Sequence, residues 1–121
     1  MAGILIVEDN STIRMMLTAG IKGMGIKTPI TEARTIAQAR ISLQTITPDV
    51  IILDLRLPGE PGQNLIRHVR DELNQPETPI IVASAWHDAK EMVMGLGATL
   101  FMPKPLDIVE LLRAVQRFST H

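Results

Sequence analysis

The segment Val50-Ile51-Ile52-Leu53-Asp54 consists of four aliphatic residues, three of them β-branched, and an aspartate that follows them directly. An apolar run of this length without polar alternation is typical of a strand that is buried on both faces of a parallel sheet. Three further runs of this type occur, and a fifth, weaker one contains a proline, which favours a strand at the sheet edge. The four runs are Ile4–Val7, 80–83, 98–102 and, with Pro29 inside it, 27–31.

Five further segments have the spacing of amphipathic helices, with apolar residues every three or four positions. The first begins after Asp9, Asn10 or Ser11, any of which could cap it, and the last begins after Asp107. The three middle helices are predicted over residues 35–45, 63–73 and 87–96. Strands that alternate with helices predict a parallel sheet with helices on both faces, connected by right-handed crossovers. The predicted fold is a three-layer, doubly wound α/β sandwich with five parallel strands.

Composition and charge exclude several classes of function. We expect the 121 residues to form one domain over residues 1–121, with no output domain in this chain. The 12 Lys and Arg against 13 Asp and Glu give a net charge of −1, which argues against a nucleic-acid-binding surface. The sequence has no cysteine, no apolar run of membrane-spanning length and no signal peptide. We therefore expect a cytoplasmic protein that contacts neither nucleic acid nor membrane directly.

Polar residues follow the ends of the buried runs. Glu8 and Asp9 come after the first, Asp54 and Ser84 after two others, and Lys104 lies just beyond the last. Singly, each has an ordinary explanation as a helix cap, a turn residue or a solvated charge. Together they should meet at the edge where parallel strands end, which is where open α/β sheets bind ligands. Mg²⁺ would offset the repulsion of the carboxylates, and the ammonium and hydroxyl groups suit phosphoryl oxygens.

These motifs resemble the receiver domain of bacterial two-component response regulators. The resemblance rests on ILIVEDN at residues 4–10, DVIILDLRLPG at 49–59, PIIVASA at 79–85, and the segment 97–106 with its Gly-Ala start and Lys-Pro-Leu end. The motifs follow the family order and spacing over essentially the whole chain. The resemblance implies the strand order 2-1-3-4-5 of flavodoxin- and CheY-like folds.

The same resemblance implies which residues bind the phosphoryl group and the metal. Asp54 would accept the phosphoryl group from a histidine kinase or a histidine phosphotransfer protein. Asp9, Asp54 and the backbone carbonyl of Arg56 would bind Mg²⁺, and Glu8 would act through a coordinated water. The Lys104-Pro105 bond is expected to be cis, as in the family.

The remaining roles implied by the resemblance concern the response to the phosphoryl group. Ser84 and Lys104 would contact the acyl phosphate, and Phe101 would be the aromatic residue that moves inward with Ser84. Arg56 and Trp86 would flank the phosphoryl group and tune its hydrolysis. Because neither side chain can orient an attacking water, the sequence predicts slow loss of the phosphoryl group.

Three other functions are compatible with parts of the pattern. A Mg²⁺-dependent phosphatase or phosphotransferase of the haloacid dehalogenase type would need a second Asp where Arg56 stands. A nucleotide- or flavin-binding module would need a phosphate-binding loop, and the Gly59-Glu60-Pro61-Gly62 segment lacks the lysine of such a loop. A receiver-like protein that is never phosphorylated is the third. The sequence favours a phosphorylation-activated signalling switch whose only chemistry is on itself, rather than an enzyme with an external substrate.

Overall fold

The computed structural model describes residues 3–119. Its elements are β1 (Ile4–Val7), α1 (Ser11–Gly23), β2 (Ile30–Ala33), α2 (Ile36–Ser42), β3 (Val50–Leu53), α3 (Gln63–Arg67), β4 (Ile80–Ser84), α4 (Lys90–Leu96), β5 (Leu100–Pro103) and α5 (Ile108–Ser119). The strands lie in the order β2-β1-β3-β4-β5, and all neighbouring pairs are parallel. The fold and strand order expected from the sequence are confirmed.

Two apolar cores lie on opposite faces of the sheet, because successive side chains of a strand point to opposite sides. In β1, Ile4 and Ile6 pack with α1 and α5, whereas Leu5 and Val7 pack on the side of α2, α3 and α4. Every residue of β1 and β3 is buried. The absence of polar alternation in these strands follows from this burial on both faces.

The β2 strand lies at the edge of the sheet, as Pro29 predicted, but it begins later than the expected 27–31. Pro29 has no N–H to donate and stands before the strand, where its carbonyl accepts the Ile4 N–H at 2.8 Å. Regular pairing starts at the next residue, Ile30, which lies opposite Ile4. The proline therefore marks the boundary of the strand rather than its interior.

The β5 strand begins at Leu100 rather than at residue 98, because residues 97 and 98 close the end of α4, which lies at Leu96 as expected. Gly97 has a φ of 111°, in the left-handed region that favours glycine. This conformation lets the Ala98 N–H donate to the Val93 carbonyl at 2.9 Å, so Ala98 closes the helix. The α4 helix itself starts only at Lys90, after a 3₁₀ turn over His87–Ala89.

The helix starts agree better with the sequence than the helix ends. Asn10, Thr35 and Asp107 cap α1, α2 and α5 by accepting the backbone N–H three residues further on. The α2 helix ends at Ser42, short of the expected residue 45, since the N–H groups of Gln44 and Thr45 bond to carbonyls three residues back. No helix among residues 3–119 is long and apolar enough to cross a membrane.

The third helix contains a feature that its apolar spacing did not indicate. After Arg67 the chain continues as a π-helical turn over His68–Glu72, in which the Leu73 N–H donates to the His68 carbonyl at 2.9 Å. The side chain of Arg70 extends from this turn toward the end of α4, where its Nε and Nη2 donate to the Gly97 carbonyl at 2.9 and 2.7 Å. The wide turn therefore lies where the third helix is tied to the end of α4.

Candidate functional site

Three carboxylates meet at the carboxyl edge of the sheet, as the positions of the strand ends predicted. Glu8 and Asp9 follow β1, and Asp54 follows the neighbouring β3, with its N–H bonded to the Val7 carbonyl at 3.0 Å. One oxygen from each carboxylate can be chosen so that all three lie within 4.8 Å of one another. Glu8 and Asp54 are only 5% and 7% exposed, whereas Asp9 is exposed.

This concentration of negative charge is only partly compensated by the protein. Burial raises the pKa of Glu8, and the nearby charge of Asp54 raises it further, while Lys104 and the Asn10 N–H act in the opposite direction. Oxygen ligands with excess negative charge are what a hard divalent cation such as Mg²⁺ prefers. The acidic residues present at this edge therefore fit a magnesium site.

Lys104 supplies the positive charge of the site, from the turn between β5 and α5. Its Nζ lies 3.3 Å from Glu8 Oε1 and 3.5 Å from Asp54 Oδ2, and its side chain is 22% exposed. Its N–H donates to the Ser84 carbonyl at 2.9 Å, which ties the turn to the end of β4. The Lys104-Pro105 peptide bond is cis, as the resemblance implied.

The structure also places the other predicted residues around this edge. Ser84 is fully buried, and its Oγ accepts the Trp86 N–H at 3.0 Å. Trp86 itself is 40% exposed. Arg56 is exposed, and its N–H donates to Asp54 Oδ1 at 3.2 Å. Phe101 lies opposite Val82 and packs, half-buried, against the core on the α2–α4 side.

Arg14 is a site residue whose contacts the sequence did not predict. Its Nη1 donates to the Glu8 carbonyl at 2.8 Å, and its Nε lies 3.2 Å from Glu32 Oε1 on β2. The side chain is only 12% exposed, and its spacing puts it on the face of α1 that carries the buried Leu17 and Ile21. The sequence held one signal for this contact: an arginine follows shortly after the start of the helix that comes after Glu8 and Asp9. Arg14 fixes the backbone from which Glu8 and Asp9 project.

Gly62 is the second residue that sequence reasoning missed. A Cβ atom at this position would lie 2.4 Å from the Asp54 carbonyl oxygen and 2.7 Å from Leu55 Cα. The Gly62 N–H donates to the Leu55 carbonyl at 3.0 Å, so the chain returns here against its own path after β3. The signal in the sequence was a glycine eight residues after the candidate acceptor. The close approach of the two backbone segments explains why this position needs a glycine.

Comparison with known proteins agrees with this geometry. The family model of the response regulator receiver domain matches residues 4–116. The transcriptional regulator NtrC of Klebsiella pneumoniae is 33% identical over 118 residues, which cover 96% of this chain and 24% of NtrC. The KDP operon regulator KdpE of Escherichia coli K12 is 36% identical over 113 residues, which cover 92% of this chain and 48% of KdpE.

A solved structure supports the same assignment. It is the receiver domain of the sensor histidine kinase PA1611 from Pseudomonas aeruginosa PAO1, with a magnesium ion coordinated in its active-site cleft. It is 30% identical with a TM-score of 0.81, and the alignment covers 96% of this chain and 95% of that chain. The present chain spans only about a quarter to a half of the length of the curated relatives NtrC and KdpE.

The family match does not favour a haloacid dehalogenase or a flavin-binding module, although parts of the sequence were compatible with both. It covers all five strands and every residue of the acidic cluster and its lysine. The strand order is the one that the sequence resemblance implied. The chain is a member of the response regulator receiver domain family.

Proposed function

We propose that this domain is a signalling switch that accepts a phosphoryl group on Asp54 in a Mg²⁺-dependent reaction. The phosphodonor would be the phosphohistidine of a histidine kinase or of a histidine phosphotransfer protein. The observation that supports this proposal is the position of the Lys104 Nζ, 3.3 Å from Glu8 and 3.5 Å from Asp54, within a three-carboxylate cluster. A single ammonium beside several carboxylates suits the binding of a metal together with a further anionic group.

The transfer step needs little from the protein beyond position and charge. An Asp54 carboxylate oxygen forms a bond to phosphorus while the phosphorus–nitrogen bond of the donor histidine breaks, and the imidazole nitrogen leaves and takes up a proton. A carboxylate requires no general base for this attack. The Arg56 N–H on Oδ1 orients the acceptor, and Lys104 faces the other oxygen, Oδ2.

Asp9, Asp54 and the backbone carbonyl of Arg56 would hold Mg²⁺, and Glu8 would hold one of its waters. When bound, the cation supplies positive charge for the phosphoryl oxygens. Among the three acids, we assign the acceptor role to Asp54 because the resemblance to the receiver family places the acceptor directly after the third strand.

The phosphoryl group would act by changing the surface that partners bind. We propose that the Ser84 hydroxyl, whose oxygen accepts the Trp86 N–H, turns to donate its proton to a phosphoryl oxygen. Phe101, which lies on the next strand and is only half-buried, would then pack further inward.

In this proposal residues 1–121 form one receiver domain that acts in the cytoplasm. The near balance of 12 basic and 13 acidic residues supports a role without direct nucleic-acid contact.

Intact-mass spectrometry after incubation with acetyl phosphate and Mg²⁺ tests this function. The wild type should gain one phosphoryl group with Mg²⁺ and none when EDTA replaces Mg²⁺, and Asp54→Asn should gain none in either case. Asp71→Asn, which removes an exposed carboxylate far from the acidic cluster, should behave as the wild type. A wild type that takes up no phosphoryl group would indicate a receiver that is never phosphorylated. Phosphorylation mapped to Glu8 or Asp9 would show that the acceptor is wrong.

A further inference from the structure

The loop between β3 and α3 carries part of the proposed site at its start. Asp54 and Arg56 are among its first residues, and Gly62 is its last. The loop closes on itself, because the Gly62 N–H donates to the Leu55 carbonyl at 3.0 Å. Gly59, near the middle, has a φ of 82°, which allows the chain to reverse. Any change in the path of this loop is therefore transmitted to the backbone of the proposed acceptor.

A side chain from another element holds this loop. Arg40 on α2 faces Glu60 with both terminal nitrogens: Nη1 contacts Oε1, and Nη2 donates to Oε2 at 2.7 Å. Asn64 on α3 donates from Nδ2 to the same Oε2 at 3.0 Å. Glu60 therefore links the loop to α2 on one side and to α3 on the other.

Ion pairs at protein surfaces usually contribute little to the stability of the fold, since two flexible side chains must be ordered in solvent. This pair differs in three respects. Its geometry is two-pronged, its side chains are only 33% and 32% exposed, and a third residue shares the carboxylate. Arg40 also holds the pKa of Glu60 at about 2, so the carboxylate stays charged well below the ordinary glutamate pKa of 4.5. The pair thus connects α2 to the loop over a wide range of pH.

We infer that Arg40, acting through Glu60, is a positioning residue for the phosphoryl and Mg²⁺ site, because it fixes the loop that begins with Asp54 and Arg56. The inference rests on the function proposed above. Arg40 does not touch the acidic cluster itself, so its effect passes through the loop backbone and the close contact at Gly62. Without the pair, the loop would sample conformations in which the Arg56 carbonyl and the Asp54 carboxylate no longer face the site together.

The effect on Mg²⁺ affinity distinguishes a residue that positions the metal ligands from one that only stabilises the fold. Loss of a residue that orients metal ligands lowers metal affinity by about 10–100-fold, and an indirect contact such as this one should lie near the lower figure. We expect Arg40→Met and Glu60→Gln each to weaken Mg²⁺ binding about tenfold. The phosphorylation rate at saturating Mg²⁺ should remain close to that of the wild type, because the acceptor and Lys104 are intact.

The experiment uses the full chain in four forms: wild type, Arg40→Met, Glu60→Gln and the double variant. Isothermal titration calorimetry with MgCl₂ gives the affinity, and hydrogen exchange at the Gly62 N–H reports the closure of the loop. The double variant should bind Mg²⁺ no more weakly than either single variant, because both remove the same connection. Arg67→Met is the matched control. It removes an arginine that bonds to Asn64 but not to Glu60, and it should bind Mg²⁺ as the wild type does.

Three results would overturn the inference: wild-type Mg²⁺ affinity in Arg40→Met, an equal loss in Arg67→Met, or additive losses in the double variant. Unchanged Gly62 exchange in a variant that binds Mg²⁺ weakly would also overturn it, since the effect would then not pass through the loop. The proposed function is scored separately, by phosphorylation of the wild type. If Asp54 takes up no phosphoryl group but Mg²⁺ affinity still depends on Arg40 and Glu60, positioning of the cation site stands and the phosphorylation proposal fails.

Discussion

Replacing Gly62 with alanine tests whether close backbone contact, rather than flexibility, explains the glycine. The residue has φ −60° and ψ −32°, a conformation that alanine adopts readily. The only obstacle is space. The added methyl group would lie 2.4 Å from the Asp54 carbonyl oxygen and 2.7 Å from Leu55 Cα, where ordinary contacts begin at 3.4 Å. Both neighbours are backbone atoms, which cannot avoid the methyl group by changing rotamer.

The magnitude follows from the displacement that is needed. The loop and the start of α3 must separate by about 1 Å, which lengthens the Gly62–Leu55 hydrogen bond and disturbs a region where the adjacent side chains are buried. Overpacking of this kind lowers the free energy of unfolding by about 1–3 kcal/mol. Because the methyl group meets two backbone atoms, we expect Gly62→Ala to lower it by about 3 kcal/mol. The same shift moves the Asp54 carbonyl, so Mg²⁺ binding should also weaken.

Urea denaturation monitored by circular dichroism measures the effect as a lower midpoint with an unchanged m-value. Gly95→Ala provides the matched control. Gly95 lies on the exposed side of α4, and a Cβ there would meet no atom within 4 Å. That substitution should raise the free energy of unfolding by about 0.5–1 kcal/mol, because alanine favours the helix. Equal stability of Gly62→Ala and the wild type would refute the argument from close contact.

Three further predictions concern the charges and the aromatic cover of the site. Without Mg²⁺, Lys104→Ala should lower the free energy of unfolding by about 1–3 kcal/mol, since two buried carboxylates lose their counter-charge; a deficit in urea denaturation that added Mg²⁺ does not reduce would contradict this. Trp86→Ala should speed the loss of the phosphoryl group by admitting water, as followed by intact mass over time, and an unchanged rate would mean that the indole shields nothing. Arg40 lowers the pKa of Glu60 from 4.5 to about 2, so the pair stabilises the folded state above pH 4.5 and is lost as the pH falls toward 2. The stability difference between wild type and Glu60→Gln should therefore shrink over that interval in urea titrations.

The fold was predictable because burial on two faces leaves a simple pattern. The runs at Ile4–Val7 and Val50–Leu53 have no polar position, and both strands proved to be central and fully covered. Boundaries were less predictable where hydrogen bonding, not hydropathy, sets them. Pro29 is apolar enough to extend a strand but has no N–H to donate, and Ala98 is apolar but serves to close α4. The π-helical turn after Arg67 has nearly the same apolar spacing as an α-helix, so the sequence carried no sign of it.

The acidic cluster was predictable for a geometric reason: parallel strands end at one edge, so residues that follow them must meet. The sheet brings the backbones of Glu8, Asp54 and Lys104 to one edge, and their side-chain contacts follow from that placement. Contacts between side chains on separate elements were not predictable in this way. The Arg14 bond to the Glu8 carbonyl and the Arg40–Glu60 pair depend on how helices and loops pack on that sheet.

The ion pair between Glu8 and Lys104 joins residues that are 96 positions apart in the sequence. During synthesis the ribosome therefore releases the acidic half of the site long before the lysine that balances it. Until β5 is added beside β4, the carboxylates of β1 and β3 have no ammonium near them, and the proposed acceptor is incomplete. Under the function proposed above, a nascent or truncated chain that lacks β5 should not be phosphorylated, so phosphorylation would require that the whole domain has folded.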